Sequence, residues 1–276
     1  MEIDDIKHQA STPMMAQYLR IKSKYNDSLL FYRMGDFYEL FFEDAEIASA
    51  ALNITLTKRG KVNGKDIAMC GVPYHSYENY LLNLIRQGHK VAICEQLEKP
   101  EEAKKRGYKS VVKRDVVRLV TPGTLTEESL LDGKKNNYLL AYCEDKVRAA
   151  AAWADLSTGE FSVSTINKEN LDSLISRINP TEILVSEKFT LALTEGYNES
   201  GSKVTILGES EFDHNVAKIK LEKLCSSKSL EKLKSFNSLE LKAIGGLISY
   251  LEITQCGEIP TLKAPVKDNF DTFMQI

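Results

Sequence analysis

An aromatic ring and a carboxylate lie two residues apart within residues 34–42 (MGDFYELFF). If this segment is a strand, Phe37 and Glu39 share one face and Tyr38 lies on the other, because side chains alternate along a strand. An aromatic ring can stack on another ring, and a carboxylate accepts hydrogen bonds. Such a pair next to the glycine turn at Gly35 is unusual at a sheet edge, although the pattern alone favours a half-buried aromatic beside a solvated acid.

Basic side chains are bunched in two further segments. Lys58, Arg59, Lys61 and Lys65 follow one another with no acid between them, and seven basic residues within 104–118 are interrupted only by Asp115. Bunched positive charge is what a polyanion surface needs. Charge pattern alone still favours a solvated face.

Most catalytic signatures are absent. Residues 60–66 (GKVNGKD) come nearest to a phosphate loop but are one residue short and lack the final hydroxyl. Four residues have a spacing that could suggest zinc, namely Cys70, His75, His89 and Cys94. Both cysteines lie in apolar, strand-like runs, so we predict core cysteines and surface histidines, with no metal, cofactor or catalytic residue in this chain.

A second group of acids offers an alternative function. Asp155 and Glu160 flank a predicted hairpin within a run of strands, and Glu182 and Glu187 flank the later strand EILVS. A metal-dependent nuclease of the ribonuclease H kind begins with an acid in such a position, so Asp155 would be its first ligand. A carboxylate at a hairpin edge is more often simply solvated.

The elements that would position these residues alternate between strand and helix, which predicts an α/β (α+β) fold. The first helix is predicted to begin at Thr12 and Pro13. Strands are predicted at 28–33, 37–42, 54–58, 66–70, 90–96, 114–120, 138–144, 148–155, 160–166 and 182–186, with turns at 60–65 and 71–73. Further helices are predicted at 43–52, 76–87, 169–178, 215–226 and 238–256.

Composition excludes several classes of protein. The 276 residues are 43% hydrophobic and 27% charged, which excludes a disordered tail and a small disulfide scaffold and suggests two domains. No window is apolar enough for a membrane span, and the polar start MEIDDIKHQA predicts no secretory signal. The net charge of −3 divides unevenly: residues 1–120 have 19 Lys and Arg against 16 Asp and Glu, whereas residues 121–276 have 17 against 23. The first part is therefore slightly basic and the second acidic.

Six runs of sequence resemble the MutS family of bacterial DNA mismatch-recognition proteins. They are RMGDFYELFFEDA, LTKRG, AMCGVPYHSYENYL, GHKVAICEQLEKP, VVRLVTPGT and WADLSTGEF, and they occur in the family's order. The resemblance covers residues 11–135 almost continuously, and thinner motifs, including NPTEILVSE, extend it into the second half. It implies a mixed-sheet mismatch-binding domain at 1–118, a linker at 119–134, a ribonuclease H-like connector domain at 135–262 and the start of a lever or core region at 263–276.

The resemblance also implies roles for individual residues. Phe37 would enter the minor groove of a mismatched duplex, stack on the mispaired or unpaired base and kink the DNA, while Glu39 would bond that base. Lys58 and Arg59 would contact the DNA backbone. Further backbone or groove contacts are expected from Tyr38, Met69 and Pro73, and the basic run at 104–114 is an alternative phosphate surface.

The wider biology of the family sets the remaining expectations. The resemblance implies an N-terminal part of a larger protein that is a homodimeric ATPase using ATP and Mg²⁺, whereas this chain lacks the ATPase domain and is not itself an enzyme. The expected partners are mismatched double-stranded DNA and, through the connector, MutL. The expected location is the cytoplasm, in association with the nucleoid and with no membrane contact.

Overall fold

The computed structural model describes residues 12–62, 64–107, 110–126, 136–189, 196–197, 201–224, 235–257 and 261–268. The chain forms two compact units that divide between Thr121 and Pro122. Each unit is built on its own mixed six-stranded sheet, so the predicted mixed α/β class is confirmed. Within the described ranges, no helix has the length and apolar character needed to cross a bilayer.

The described part of the first unit has four α-helices and one sheet. Its elements are α1 (Pro13–Lys22), β1 (Leu29–Met34), β2 (Phe37–Phe41), α2 (Phe42–Leu52), β3 (Thr57–Val62), β4 (Lys65–Pro73), α3 (Tyr77–Arg86), β5 (Val91–Gln96), α4 (Pro100–Lys105) and β6 (Arg114–Val120). The strand order is β3-β4-β2-β1-β5-β6, in which β1 and β5 are parallel and the other neighbours antiparallel. Strand β2 therefore lies inside the sheet, hydrogen-bonded on both sides.

Helix α1 covers part of one face of this sheet. It begins as predicted, because the Thr12 hydroxyl accepts a hydrogen bond from the Met15 amide at 3.2 Å and Pro13 occupies the first turn. Its buried Tyr18 packs edge-on against Tyr32 and Phe41, with ring centroids 5.4 and 4.9 Å apart. These contacts anchor the carboxyl end of β2 in the core.

Two sequence predictions in this unit are wrong, and one short helix was not predicted. Strand β3 spans Thr57–Val62 rather than 54–58, so residues 60–62 lie in a strand instead of in the turn predicted at 60–65. The predicted turn at 71–73 is strand, because β4 pairs with β2 as far as Pro73 and buries Val72 between the layers. The six-residue helix α4 was not predicted, since so short an element leaves no hydrophobic periodicity.

The second unit begins with an antiparallel meander. Its elements are β7 (Tyr138–Glu144), β8 (Arg148–Asp155), β9 (Glu160–Asn167), α5 (Leu171–Ile178), β10 (Glu182–Ser186), β11 (Lys203–Leu207), α6 (His214–Leu224), α7 (Ser238–Thr254) and β12 (Val266–Lys267). The strand order is β11-β10-β7-β8-β9-β12. Strands β7 to β9 are antiparallel, and β10, β11 and β12 join in parallel. The meander and β10 agree with the predicted strands, whereas the short edge strands β11 and β12 were not predicted.

Candidate nucleic-acid interface

Strand β2 presents Phe37 and Glu39 on the same face of the first sheet, as the alternation of side chains predicted. Phe37 lies opposite Met34 of β1 and Pro73 of β4, and 47% of the residue is exposed. An exposed phenylalanine on an inner strand is held by backbone hydrogen bonds on both sides, so its backbone is fixed in position although its ring is open to solvent.

Tyr38 lies on the opposite face and is buried. Its hydroxyl donates a hydrogen bond to the Glu95 carboxylate, and its ring packs against Phe31 and Tyr77 at centroid distances of 5.6 and 5.1 Å. Burial and the neighbouring Glu95 raise the pKa of Tyr38 well above its ordinary value. The predicted duplex contact by this side chain does not fit its placement, because the ring anchors β2 from behind and is unavailable on the Phe37 face.

Glu39 is a largely buried carboxylate with one direct cationic partner. It lies opposite Tyr32 and Gly71, its side chain is 16% exposed, and its Oε2 accepts a hydrogen bond from Arg59 Nη1 at 2.5 Å. Burial raises the pKa of Glu39 above its usual range, although Arg59 and the more distant Arg114 act in the opposite direction. The site therefore contains a carboxyl group that protonates more readily than an exposed glutamate.

Gly71 keeps the space beside this pair open, and sequence reasoning missed its role. A Cβ at Gly71 would lie 3.3 Å from the Tyr38 carbonyl oxygen and 3.8 Å from both Glu39 Cγ and Phe37 Cδ1. A larger side chain here would cover the faces of Phe37 and Glu39 that a ligand would contact. The available signal was a glycine inside a strand-like run, which often marks a close approach.

The structure separates the two basic residues that were expected to act together. Arg59 lies on the Glu39 face, where its Nη1 is also 4.0 Å from the Met69 sulfur. Lys58 pairs with Ala68 in the ladder, and its Nζ lies 2.7 Å from Asp66 Oδ2, with 73% of its side chain exposed. Met69 and Pro73 are half-buried on β4. Arg59, Met69 and Pro73 thus surround the Phe37–Glu39 pair, whereas Lys58 points to the other side of the sheet.

The alternative phosphate surface at 104–114 is partly occupied by internal contacts. Arg106 is paired with the Glu98 carboxylate, and Arg114 donates to the Arg33 carbonyl oxygen at 2.7 Å while lying over the Tyr32 ring. The remaining described basic residues of this segment are Lys104, Lys105 and Lys113, and all three are exposed. This surface therefore offers fewer available arginines than the sequence suggested.

Asp155 and Glu182, two of the buried acids of the second unit, each accept several structural hydrogen bonds. Asp155 accepts from the Ser157 amide at 2.8 Å, the Ser157 hydroxyl at 2.6 Å and the Asn137 amide at 3.1 Å. Glu182 accepts from the Gly123 amide at 3.0 Å and from the Thr205 and Tyr250 hydroxyls at 2.7 Å each. The nuclease alternative is not favoured, because these carboxylates have internal donors in the places where a metal would bind.

Metal-binding geometry is also lacking at the four residues with zinc-like spacing. Cys70 pairs with Leu40 and Cys94 with Tyr32, which places the two thiols on opposite faces of the sheet. Burial raises the pKa of Cys70 to about 11 and of Cys94 to about 12, as expected for core thiols. In the part of the chain that the structure describes, no three His, Cys, Asp or Glu residues cluster as metal ligands would.

Comparison with known proteins identifies the family. Residues 12–129 match the family model for MutS domain I, and residues 137–263 match that for MutS domain II. The chain is 54% identical over 266 residues to the DNA mismatch repair protein MutS of Ruegeria pomeroyi, covering 96% of the chain and 30% of that protein. It is 50% identical over 276 residues to MutS of Cereibacter sphaeroides (100% and 31%) and 48% over 273 residues to MutS of Wolbachia pipientis wMel (97% and 32%). The chain spans about 30% of the length of these relatives, and it belongs to the MutS family, of which it contains domains I and II.

Proposed function

We propose that the first unit recognises mispaired or unpaired bases in double-stranded DNA, with Phe37 as the inserting residue. The supporting observation is the exposed ring of Phe37 on an inner strand, where the flanking strands hold it in place. Insertion into the minor groove replaces base stacking with aromatic stacking and kinks the duplex. A paired step resists unstacking more than a mismatch does, so selectivity arises from deformability rather than from a base sequence.

Glu39 bonds the edge of the displaced base in this proposal. Its position on the same face as Phe37 and its raised pKa support a carboxyl group that either accepts a hydrogen bond from the base or donates one after taking up a proton. Arg59, Met69 and Pro73 contact the adjoining backbone or groove, and Lys58 contributes a backbone contact at the margin of the site. These contacts position the duplex without reading its sequence.

The wider function follows from the family relationship. We propose residues 1–118 as the mismatch-binding domain, 119–134 as a linker, 135–262 as the ribonuclease H-like connector and 263–276 as the start of a lever region. From membership of the MutS family, we propose that this chain acts within a longer homodimeric ATPase that uses ATP and Mg²⁺ and works in the cytoplasm at the nucleoid. The acidic connector would face protein, relaying the nucleotide state and binding MutL.

Substitution of Phe37 tests the central assignment. Loss of one base–aromatic stack removes about 1–3 kcal/mol, so Phe37→Ala should reduce the preference for a G·T or unpaired-base duplex over its paired control about fivefold to 150-fold. Affinities are measured by fluorescence anisotropy in the full-length protein, where linked contacts raise the affinity. Leu97→Ala removes another exposed apolar side chain of this unit and serves as the matched control. Full discrimination by the Phe37 variant would contradict the proposal.

A further inference from the structure

We propose that Arg59 is a positioning residue that masks the Glu39 carboxylate in the DNA-free protein and releases it when a mispaired base takes its place. This inference rests on the proposed role of Glu39 as a base contact. Under this proposal, Arg59 competes with the base for the Glu39 carboxylate. Recognition is then an exchange of hydrogen-bond donors at that carboxylate. This exchange also adds a role in selectivity to the backbone contact proposed for Arg59.

The geometry requires Arg59 to reach across an intervening strand. Arg59 lies on β3 and Glu39 on β2, with β4 between them, and the guanidinium passes the Met69 sulfur to reach Glu39 Oε2 at 2.5 Å. The ladder of β3 and β4 shifts register between Lys58 and Lys61, and Gly60 there has a φ of +70°. Such a shift in register lies directly beside Arg59, and irregularities of this kind, β-bulges among them, are common next to functional sites.

Burial makes this pair more consequential than an ordinary surface ion pair. The Glu39 side chain is 16% exposed and the Arg59 side chain 40%, so water reaches the arginine more easily than the carboxylate. A carboxylate buried to this extent without a partner is strongly disfavoured. Arg59 can therefore leave for solvent or phosphate, whereas Glu39 must find a replacement donor.

No other cation is placed to supply that replacement among the residues that the structure describes around Glu39. The charged groups that act on it are Arg59 from β3 and Arg114 from β6, and its titratable neighbour on β1 is Tyr32. Arg114 is engaged with the Arg33 carbonyl oxygen and with Gln17, which keeps it from following the carboxylate. Burial raises the pKa of Tyr32 to about 12, so its phenol stays neutral near pH 7.

A paired and a mispaired duplex would therefore affect the Arg59–Glu39 ion pair differently. A paired duplex offers no free donor at the inserted site, so Glu39 keeps Arg59 and its negative charge stays compensated close to the phosphates. A mispaired base presents an unused N–H group, which donates a hydrogen bond to the Glu39 carboxylate. The Arg59 guanidinium is then free to bind the adjacent DNA backbone. The preference for mismatched over paired duplex then depends on Arg59 only if residue 39 is a carboxylate.

A double-mutant cycle separates this role from phosphate binding. Arg59→Gln in the full-length protein should weaken binding to a paired duplex about tenfold and to a mismatched duplex clearly less, which raises the preference about threefold to tenfold. The change in preference should vanish in the Glu39→Gln background. Lys58→Gln, which removes the neighbouring cation on the other side of the sheet, should weaken both duplexes equally and about twofold to threefold. Equal losses for Arg59→Gln on both duplexes, unaltered by Glu39→Gln, would overturn the proposal.

Measurements by NMR on the 276-residue chain provide a second, independent test. Without DNA, the titration midpoint of the Glu39 carboxyl should move to higher pH in Arg59→Gln, because a compensating charge is lost. In the unsubstituted chain, the Arg59 guanidinium signals should shift on adding mismatched duplex and stay in place with paired duplex. The masking role is overturned if the titration midpoint of Glu39 is the same in Arg59→Gln, or if the Arg59 signals shift equally with both duplexes. Either result counts against masking independently of the outcome with Phe37→Ala. If Phe37→Ala still discriminates between the two duplexes, the proposed insertion is overturned. The titration of Glu39 without DNA then still tests the masking role.

Discussion

Replacement of Asp155 by alanine should destabilise the second unit by about 1–4 kcal/mol. The carboxylate is buried between the ends of β8 and β9 and accepts backbone hydrogen bonds from Ser157 at 2.8 Å, Asn137 at 3.1 Å and Thr158 at 3.4 Å. The buried Asn137 N–H group left without an acceptor costs about 1–3 kcal/mol, and the N–H groups of the exposed Ser157 and Thr158 together add up to about 1 kcal/mol because water can reach them. The Ser157 hydroxyl adds less, because it can rotate towards another acceptor. Asp155→Asn keeps one acceptor oxygen and should lose about half as much.

Thermal and urea unfolding of the chain would measure this loss. For a unit of this size, each kcal/mol lowers the melting temperature by about 2–4 °C. Glu160→Ala is the matched control, because Glu160 is the exposed acid directly across the ladder from Asp155, and its loss should change stability by less than about 0.5 kcal/mol. Unchanged stability of Asp155→Ala would refute the anchoring role. Cleavage of nucleic acid in Mg²⁺ or Mn²⁺ that Asp155→Asn abolishes would revive the nuclease alternative.

Two further predictions concern the first unit. Gly71→Val should reduce mismatch preference by about threefold or more without unfolding the protein, since its side chain would cover the Phe37–Glu39 pair; the same pair of duplexes measures this, and an unchanged preference would show that the space is not used. Glu98→Gln should lower the melting temperature near pH 7, because the hydrogen bond from Arg106 lowers the pKa of Glu98 to about 2. Since that pKa is depressed, the stabilisation is present above the ordinary glutamate value of about 4.3 and is lost as the pH falls towards 2. Melting curves of both proteins between pH 2 and 7 should therefore converge on acidification, and a constant difference would contradict the assignment.

Local sequence patterns predicted the elements whose apolar runs end at turn residues. Strands β6, β7, β8 and β10 have the predicted bounds, because β7, β8 and β10 hold apolar runs between polar or turn residues and β6 ends at the turn residues 121–123. The turn predicted at 71–73 failed for a non-local reason, since pairing with β2 extends β4 through glycine and proline, which usually favour turns. Local propensity is overridden wherever a neighbouring strand supplies hydrogen bonds and burial.

The candidate site shows the same division between local and non-local information. Alternation along one strand was enough to place Phe37 and Glu39 together and Tyr38 apart. The Arg59–Glu39 ion pair joins residues 20 positions apart across an intervening strand, so no sequence window contains it. The opposite orientations of Lys58 and Arg59 and the open space at Gly71 likewise depend on the register of β3, β4 and β2.

The inner position of β2 has a mechanical consequence. Phe37 belongs to a strand that is hydrogen-bonded on both sides, and the Tyr38 ring packs against the opposite face of that strand. The strand that carries Phe37 therefore has low compliance. When a stiff body presses on a softer one, the softer one takes up the displacement, and a mismatched step is among the softest parts of a duplex. On binding, the DNA would then bend while the protein hardly changes shape. The bend angle would therefore report how low the bending stiffness of that base step is, rather than any adjustment of the protein.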